Sequence, residues 1–155
     1  MQTLETVLAA HPFFQGLAPA YLSLIAGCAS QVHYDAGTYI FREGEDATHF
    51  YMIRKGKVAL ETVAAQRGPI VIETIENGEA LGWSWLFPPY RWHFSARTIE
   101  PTLAIRLDGA CLRAKSETDH ELGYELIRRV ATVVIERLQA TRLQLLDIYN
   151  IPAGR

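Results

Sequence analysis

The chain has 155 residues, of which 49% are hydrophobic and 21% are charged, and its formal net charge at pH 7 is -2. This length suits one hydrophobic core and excludes two ordinary domains, while the composition excludes an intrinsically disordered chain. The weakly acidic balance lacks the basic surface of a nucleic-acid-binding protein, so we expect no direct DNA binding. Residues 1–5 have no signal-peptide pattern and no apolar run reaches membrane-spanning length, which together predict a cytoplasmic protein without a membrane partner.

The first 30 residues carry apolar side chains at helical spacing. We predict one helix over residues 4–10 and a second over residues 19–29, because Pro19 suits a first helical turn. Pro12 ends the first helix and Gly16 permits the turn into the second.

From Gln31 the spacing of apolar residues changes to every second position, which is typical of strands. Turns that contain glycine separate these short segments, and this pattern favours an all-β sandwich or barrel. The predicted strands lie at about residues 32–34, 39–41, 50–53, 58–62, 70–74, 94–99 and 102–107.

The C-terminal part returns to helical periodicity. A short helical turn is predicted near residues 107–114, and a capping box at Thr118 and Glu121 precedes a long helix over about residues 119–149. One apolar row, suited to docking on the β body, consists of Leu122, Leu126, Val130 and Val133. A second has the alternating four-and-three spacing of a coiled-coil seam and predicts a dimer contact: Ile127, Ala131, Val134, Leu138, Thr141, Leu145 and Ile148.

The loop over residues 78–98 contains all three tryptophans of the chain and one arginine within an aromatic group. Gly82 lets a backbone N–H approach a ligand closely, and the guanidinium of Arg91 fits phosphate or carboxylate oxygens. Tryptophans in a small domain also serve as core packing. Both interpretations of the loop, as a binding site for a small anion and as internal packing, stay open.

Other chemistry has little support in the sequence. Cys28 and Cys111 are far apart in sequence and predict no disulfide framework or zinc site, so we expect two small buried apolar residues. The five histidines show no paired metal-ligand spacing, and no P-loop, nucleophile elbow or zinc-protease motif is present. We therefore expect no metal, no cofactor and no enzymatic activity.

Four segments follow one another in a distinctive order: HPFFQGL from His11, DAGTYIFREGE from Asp35, FYMIRKGKV from Phe50 and GEALG from Gly78. In this order, with a long terminal helix, they resemble the cyclic nucleotide-binding domains of catabolite-activator-type (Crp/Fnr-like) regulators. The resemblance spans essentially the whole chain and implies an α+β, mainly β fold. That fold is a β-roll or jelly roll. We expect a single domain over residues 1–155, with N-terminal helices at 1–30, the β-roll at 31–108 and C-terminal helices at 109–149.

In that family the segment that starts at Gly78 is the phosphate-binding cassette, where a carboxylate takes the ribose hydroxyls and an arginine takes the cyclic phosphate. Trp83 stands at the carboxylate position, although an indole is a donor only. Counting back from the last strand places Trp92 at the arginine position, with Arg91 one residue earlier. The resemblance implies a lid that includes Tyr124 and Arg128. It implies these ligand-binding residues: Leu81, Gly82, Trp83, Ser84, Trp85, Arg91, Trp92 and His93.

Two functions follow from these observations, and we expect the first, with the second as the alternative. The first is a stand-alone sensor that binds cyclic AMP, cyclic GMP or a related phosphate-containing ligand and signals through a homodimer or a partner protein. The second is a degenerate domain that binds no nucleotide and serves as a protein-interaction module. Loss of the carboxylate favours the second, and retention of Gly82 and a loop arginine favours the first. The family usually adds a DNA-binding helix-turn-helix, and because the sequence ends at Arg155 without one, we expect output through the dimer or a partner.

Overall fold

Helices at both ends enclose a body of eight strands in the computed structural model, which describes residues 3–64 and 67–149. The helices are α1 (Leu4–Ala10), α2 (Pro19–Ala26), α3 (Gly109–Thr118) and α4 (His120–Tyr149), with a 3₁₀ turn at Pro12–Phe14. The strands are β1 (Ala29–Tyr34), β2 (Tyr39–Phe41), β3 (His49–Lys55), β4 (Val58–Ala64), β5 (Gly68–Ile75), β6 (Ala80–Leu81), β7 (Ser95–Thr98) and β8 (Thr102–Asp108).

The strands form two four-stranded antiparallel sheets, ordered β1-β8-β3-β6 and β2-β7-β4-β5. Side chains that alternate along these strands meet between the sheets, and Phe50, Met52, Leu60 and Ile105 are fully buried there. The mainly β jelly-roll fold with flanking helices, predicted from the sequence, is confirmed.

The N-terminal corner is fixed by hydrogen bonds and aromatic packing. The side chain of His11 caps the 3₁₀ turn by accepting from the backbone N–H of Phe13, and its Nε2 lies 3.0 Å from the carbonyl oxygen of Ile53. Phe13 packs edge to face on Phe50, with 5.2 Å between ring centroids. Helix α2 ends at Ala26, earlier than predicted, because β1 begins to pair with β8 at Ala29.

Helix α4 presents its two predicted apolar rows to different surroundings. Leu122, Leu126 and Val130 are buried against the body, as predicted for the docking row. Most of the second row is exposed along the 30 residues of α4, and Val134 is its half-buried member. No helix of the described part of the chain is long and apolar enough to cross a membrane.

The expectation for the two cysteines was wrong. Cys28 and Cys111 form a disulfide that joins the α2–β1 connection to the first turn of α3. The physical reason is the register of β1 on β8, where Ala29 pairs with Leu107, so the residue before one strand and the helix after the other lie side by side. A sequence separation of 83 residues hides this proximity.

Candidate ligand-binding cassette and its covering helix

Gly82 follows β6 and has a left-handed backbone conformation, with φ of 81°. The indole of Trp92 lies directly against it, since a Cβ added at Gly82 would come within 2.8 Å of ring atom Cη2. Any other residue at position 82 would therefore collide with this ring and strain the backbone. The glycine that the sequence assigned to ligand contact is covered by a side chain of the same protein.

The ring of Trp92 belongs to an aromatic stack inside the β body. It lies parallel to Phe41, with 3.7 Å between centroids and 7° between planes, and only 3% of the residue is exposed. Phe94 and Tyr51 each lie 5.9 Å from the same Phe41 ring. Of these side chains, Trp92 fills the space next to Gly82.

Trp85 and Ser84 are likewise part of the interior. Trp85 is completely buried and stacks on Phe50, with 5.0 Å between centroids. Its indole Nε1 has no hydrogen-bond partner among the described residues. Ser84 is 7% exposed and the neighbouring Leu81 is fully buried. For these residues the structure favours internal packing.

Arg91 lies apart from this group. Its guanidinium donates to the carbonyl oxygen of Gly44 at 3.0 Å and lies 3.5 Å from the Asp46 carboxylate, with 57% of the side chain exposed. An isolated β-bridge between Asp46 and Arg91 holds the backbone in the same place. His93, another of the predicted ligand-binding residues, is also exposed. The structure brings neither side chain to Gly82.

Trp83 is half-buried and contacts α4 through a residue that sequence reasoning missed, Arg137. The guanidinium carbon of Arg137 lies 5.2 Å from the Trp83 ring centroid, and the same group donates to the carbonyl oxygen of Ala80. Nε of Arg137 lies 3.3 Å from the Glu73 carboxylate. A signal was present in the sequence: Arg137 continues the docking row of α4, four residues after Val133.

Burial changes the pKa values of Arg137 and Glu73. The Arg137 side chain is 12% exposed, and desolvation lowers the pKa of its guanidinium while the Glu73, Glu79 and Glu136 carboxylates raise it. Desolvation also raises the pKa of Glu73, against the opposing effect of Arg137. Because each group is partly withdrawn from water, each depends on the other for its charge. The pair therefore joins α4 to β5, and the hydrogen bond from Arg137 to Ala80 joins α4 to the cassette.

The two predicted lid residues lie elsewhere on α4. Tyr124 is 60% exposed, and Arg128 is exposed at the edge of a cleft of about 800 Å³ between α4, the N-terminal corner and residues 78–80. Arg129 crosses this cleft and donates to the carbonyl oxygens of Phe13 and Gln15 at 3.0 and 2.8 Å. The cleft contains arginine and glutamate side chains in similar number.

The structure contains a second buried charge that the sequence did not predict. Glu61 on β4 is 2% exposed and accepts hydrogen bonds from Nε of Arg97 at 2.9 Å and from the Tyr39 hydroxyl at 3.2 Å. Hydrogen bonding to Glu61 raises the pKa of Arg97. Arg97 is committed to this pair. Within residues 3–64 and 67–149, no cluster of three histidine, cysteine or carboxylate side chains is placed to hold a metal.

Comparisons with known proteins identify the family. A family model described as cyclic nucleotide-binding domain matches residues 31–119. A candidate cyclic nucleotide-binding protein from Geobacter metallireducens GS-15 has 29% identity and a TM-score of 0.78, with 89% of this chain and 99% of that chain covered.

Two further structures share the fold at lower identity. The sensor domain of the transcriptional regulator DNR from Pseudomonas aeruginosa has 20% identity and a TM-score of 0.70, over 87% of this chain and 91% of that one. The regulatory domain of Toxoplasma gondii PKA, solved with cAMP, has 19% identity and a TM-score of 0.63, over 72% and 42%. No curated protein matches the sequence. The match over residues 31–119, more than half of the sequence, shows that the chain belongs to the cyclic nucleotide-binding domain family.

Proposed function

We propose that the chain is a single, non-catalytic regulatory domain that does not hold a cyclic nucleotide in its cassette and acts as a homodimeric interaction module. One observation carries this proposal: the indole of Trp92 lies against Gly82 and is stacked on Phe41, so the space beside the cassette amide is filled. A ligand phosphate would have to displace a ring that is 97% buried, since only 3% of Trp92 is exposed.

The two family anchors support the same conclusion. Trp83 replaces the ribose carboxylate, and its ring is covered by Arg137. Arg91 is engaged by Asp46 and the Gly44 carbonyl at the protein surface. Neither Trp83 nor Arg91 therefore offers Gly82 the carboxylate or the free guanidinium of the family pattern, whose charge-assisted hydrogen bonds hold a cyclic phosphate and its sugar.

The dimer rests on the exposed seam of α4. Ile127, Leu138, Leu145 and Ile148 are 50%, 57%, 48% and 67% exposed, and they lie on one stripe of the helix. A continuous apolar stripe of this length is unfavourable in water and suits knobs-into-holes packing against a second copy of α4. Output would then pass through α4, which Arg137 connects to the cassette.

A small-ligand sensor is the second candidate, for cyclic AMP, cyclic GMP or a related phosphate. It is favoured by the cleft of about 800 Å³ beside residues 78–80, into which Arg128 and Arg137 contribute side chains. Nη1 of Arg137 is buried without a hydrogen-bond partner among the described residues, and it could receive an anionic oxygen.

Titration calorimetry with cyclic AMP and cyclic GMP separates the two candidates. The proposal expects no binding to the parent at about 1 mM nucleotide. At that concentration even a weak complex, with a binding free energy of about −4 kcal/mol, would be half formed. It also expects no rescue by Trp83→Glu, because the restored carboxylate leaves the Trp92 ring in place. Binding by the parent that is lost in Arg137→Ala but retained in the matched surface variant Arg142→Ala would instead establish the sensor and overturn the proposal.

A further inference from the structure

The disulfide between Cys28 and Cys111 lies outside the cassette, and neither candidate function uses it. Contacts independent of the sulfurs hold its two segments together. The backbone N–H of Asp108 donates to the carbonyl oxygen of Cys28 at 2.9 Å, next to the Ala29–Leu107 pair of the sheet. Because hydrogen bonds and strand register keep these segments adjacent, the two thiols remain within reach of each other when the bond is reduced.

Cys111 lies in a setting that favours its thiolate. It is the third residue of α3, and its backbone N–H is capped by the Asp108 carboxylate at 2.9 Å. The partial positive charge of a helix start stabilises a cysteine anion, and the Asp108 carboxylate at the same end acts against it, so the ammonium of Lys115 is the group that favours the thiolate. One turn later, the ammonium of Lys115 donates to the carbonyl oxygen of Leu24 at 2.6 Å. The ammonium also lies 2.7 Å from the point where a Cβ on Gly27 would be, beside the residue that precedes Cys28.

The two cysteines differ in their access to solvent. Cys28 is 8% exposed and belongs to the hydrophobic core, whereas Cys111 is only partly buried and packs at the edge of that core. A reagent from solution therefore meets Cys111 first. A partly exposed sulfur with a stabilised anion, next to a buried resolving sulfur, is the arrangement of a reactive thiol pair.

We propose that Cys28 and Cys111 form a redox-active site that exchanges with small thiols and disulfides of the glutathione class. In oxidation, the Cys111 thiolate attacks one sulfur of oxidised glutathione, forms a mixed disulfide and releases one glutathione thiolate. The Cys28 thiol then loses its proton to water and attacks the Cys111 sulfur, which releases the second glutathione. Two electrons pass from the protein to the glutathione disulfide, and two reduced glutathione molecules leave. Reduction runs through the same steps in reverse.

The first test is equilibration of the native 155-residue chain in buffers of defined reduced-to-oxidised glutathione ratio, with free thiols then counted by mass spectrometry after alkylation. The proposal expects a complete and reversible change between two thiols and none, with the fold retained in circular dichroism. A pair that stays oxidised in reduced glutathione until the protein is denatured is a purely structural disulfide, and that result overturns the proposal. A pair that stays reduced in oxidised glutathione overturns it as well.

The second test assigns the attacking thiol and uses single-cysteine variants, which do not depend on formation of the internal bond. Cys111 in the Cys28→Ser protein should form a mixed disulfide with oxidised glutathione about ten times faster than Cys28 in the Cys111→Ser protein, because it is more accessible and lies one helical turn from the Lys115 ammonium. In the Cys28→Ser background, Lys115→Gln should slow this reaction, and the control Lys55→Gln, at the exposed end of β3, should not. Equal rates for the two cysteines would contradict the assignment of Cys111.

Discussion

Arg91 and Arg97 lie six positions apart, and the fold gives them opposite environments. Arg91 pairs with Asp46 at the surface, where 57% and 74% of the two side chains are exposed. Arg97 binds Glu61, whose carboxylate has almost no contact with water. An exposed ion pair contributes little to stability because water screens it, whereas an uncompensated buried carboxylate is costly.

We therefore expect Arg97→Ala to lower the free energy of unfolding by about 2 to 3 kcal/mol, discounted because Arg97 itself is partly exposed. The matched variant Arg91→Ala should lower it by less than about 1 kcal/mol. Urea unfolding of the two variants and the parent measures both effects. A larger loss for Arg91→Ala would mean that the surface bridge to the residue 44–46 turn stabilises the cassette loop more than its exposure indicates.

At the scale of the element, the two halves of α4 lie in different surroundings. Its first half packs on the body through the docking row, and Arg137 ends that contact at the cassette. Beyond Leu138 every described residue of the helix is exposed, including Leu143, Leu145 and Leu146. An isolated helix segment of this kind is marginal in water, which supports the proposal that a second copy of α4 covers its apolar face.

We expect Val134→Glu combined with Leu138→Glu to convert the proposed dimer to a monomer, because two carboxylates would be buried against their own copies in the seam. Light scattering with size-exclusion chromatography measures the mass. The control Thr132→Glu combined with Gln139→Glu adds the same charge on the opposite side of α4 and should leave the dimer intact. A parent that is already monomeric in dilute solution would rule out the dimer.

The stability of the whole molecule should depend on pH through the N-terminal corner. His11 is 5% exposed, and burial lowers the pKa of its imidazole, while the hydrogen bond to Ile53 acts in the opposite direction. In the neutral form Nδ1 accepts from the Phe13 N–H and Nε2 donates to the Ile53 carbonyl. The folded state therefore binds a proton less readily than the unfolded chain, so the stability from this residue is complete above the ordinary histidine pKa and is lost as pH falls below it.

Between pH 7.5 and pH 5.5 we expect the parent to lose about 1 kcal/mol more free energy of unfolding than His11→Gln. Urea unfolding at the two pH values measures this difference. His49→Gln measures a second contribution to the pH dependence of stability, because burial lowers the pKa of His49 as well. Identical losses in the parent and His11→Gln would show that the corner opens before His11 takes up a proton.

Patterns along the chain were enough to predict most of the order of helices and strands, the jelly-roll fold and the two faces of α4. The element order and the two faces of α4 depend on local periodicity: apolar residues at every second position located seven of the eight strands, and spacings of three and four located α4, whereas the two-residue strand β6 was missed. Glycine-bearing turns and the four family segments supplied the topology. These features repeat over many residues, so a single misread position does not change the result.

Tertiary structure alone decided the contents of the cassette and the pairing of distant residues. Composition placed Trp92 and Arg91 in one aromatic loop, but strand register and core packing turned the indole inward onto Phe41 and left the guanidinium at the surface. The Cys28–Cys111 bond and the Glu61–Arg97 pair likewise join side chains that are distant in sequence. The direction of one side chain is set by contacts across the fold, and no pattern along the chain records those contacts.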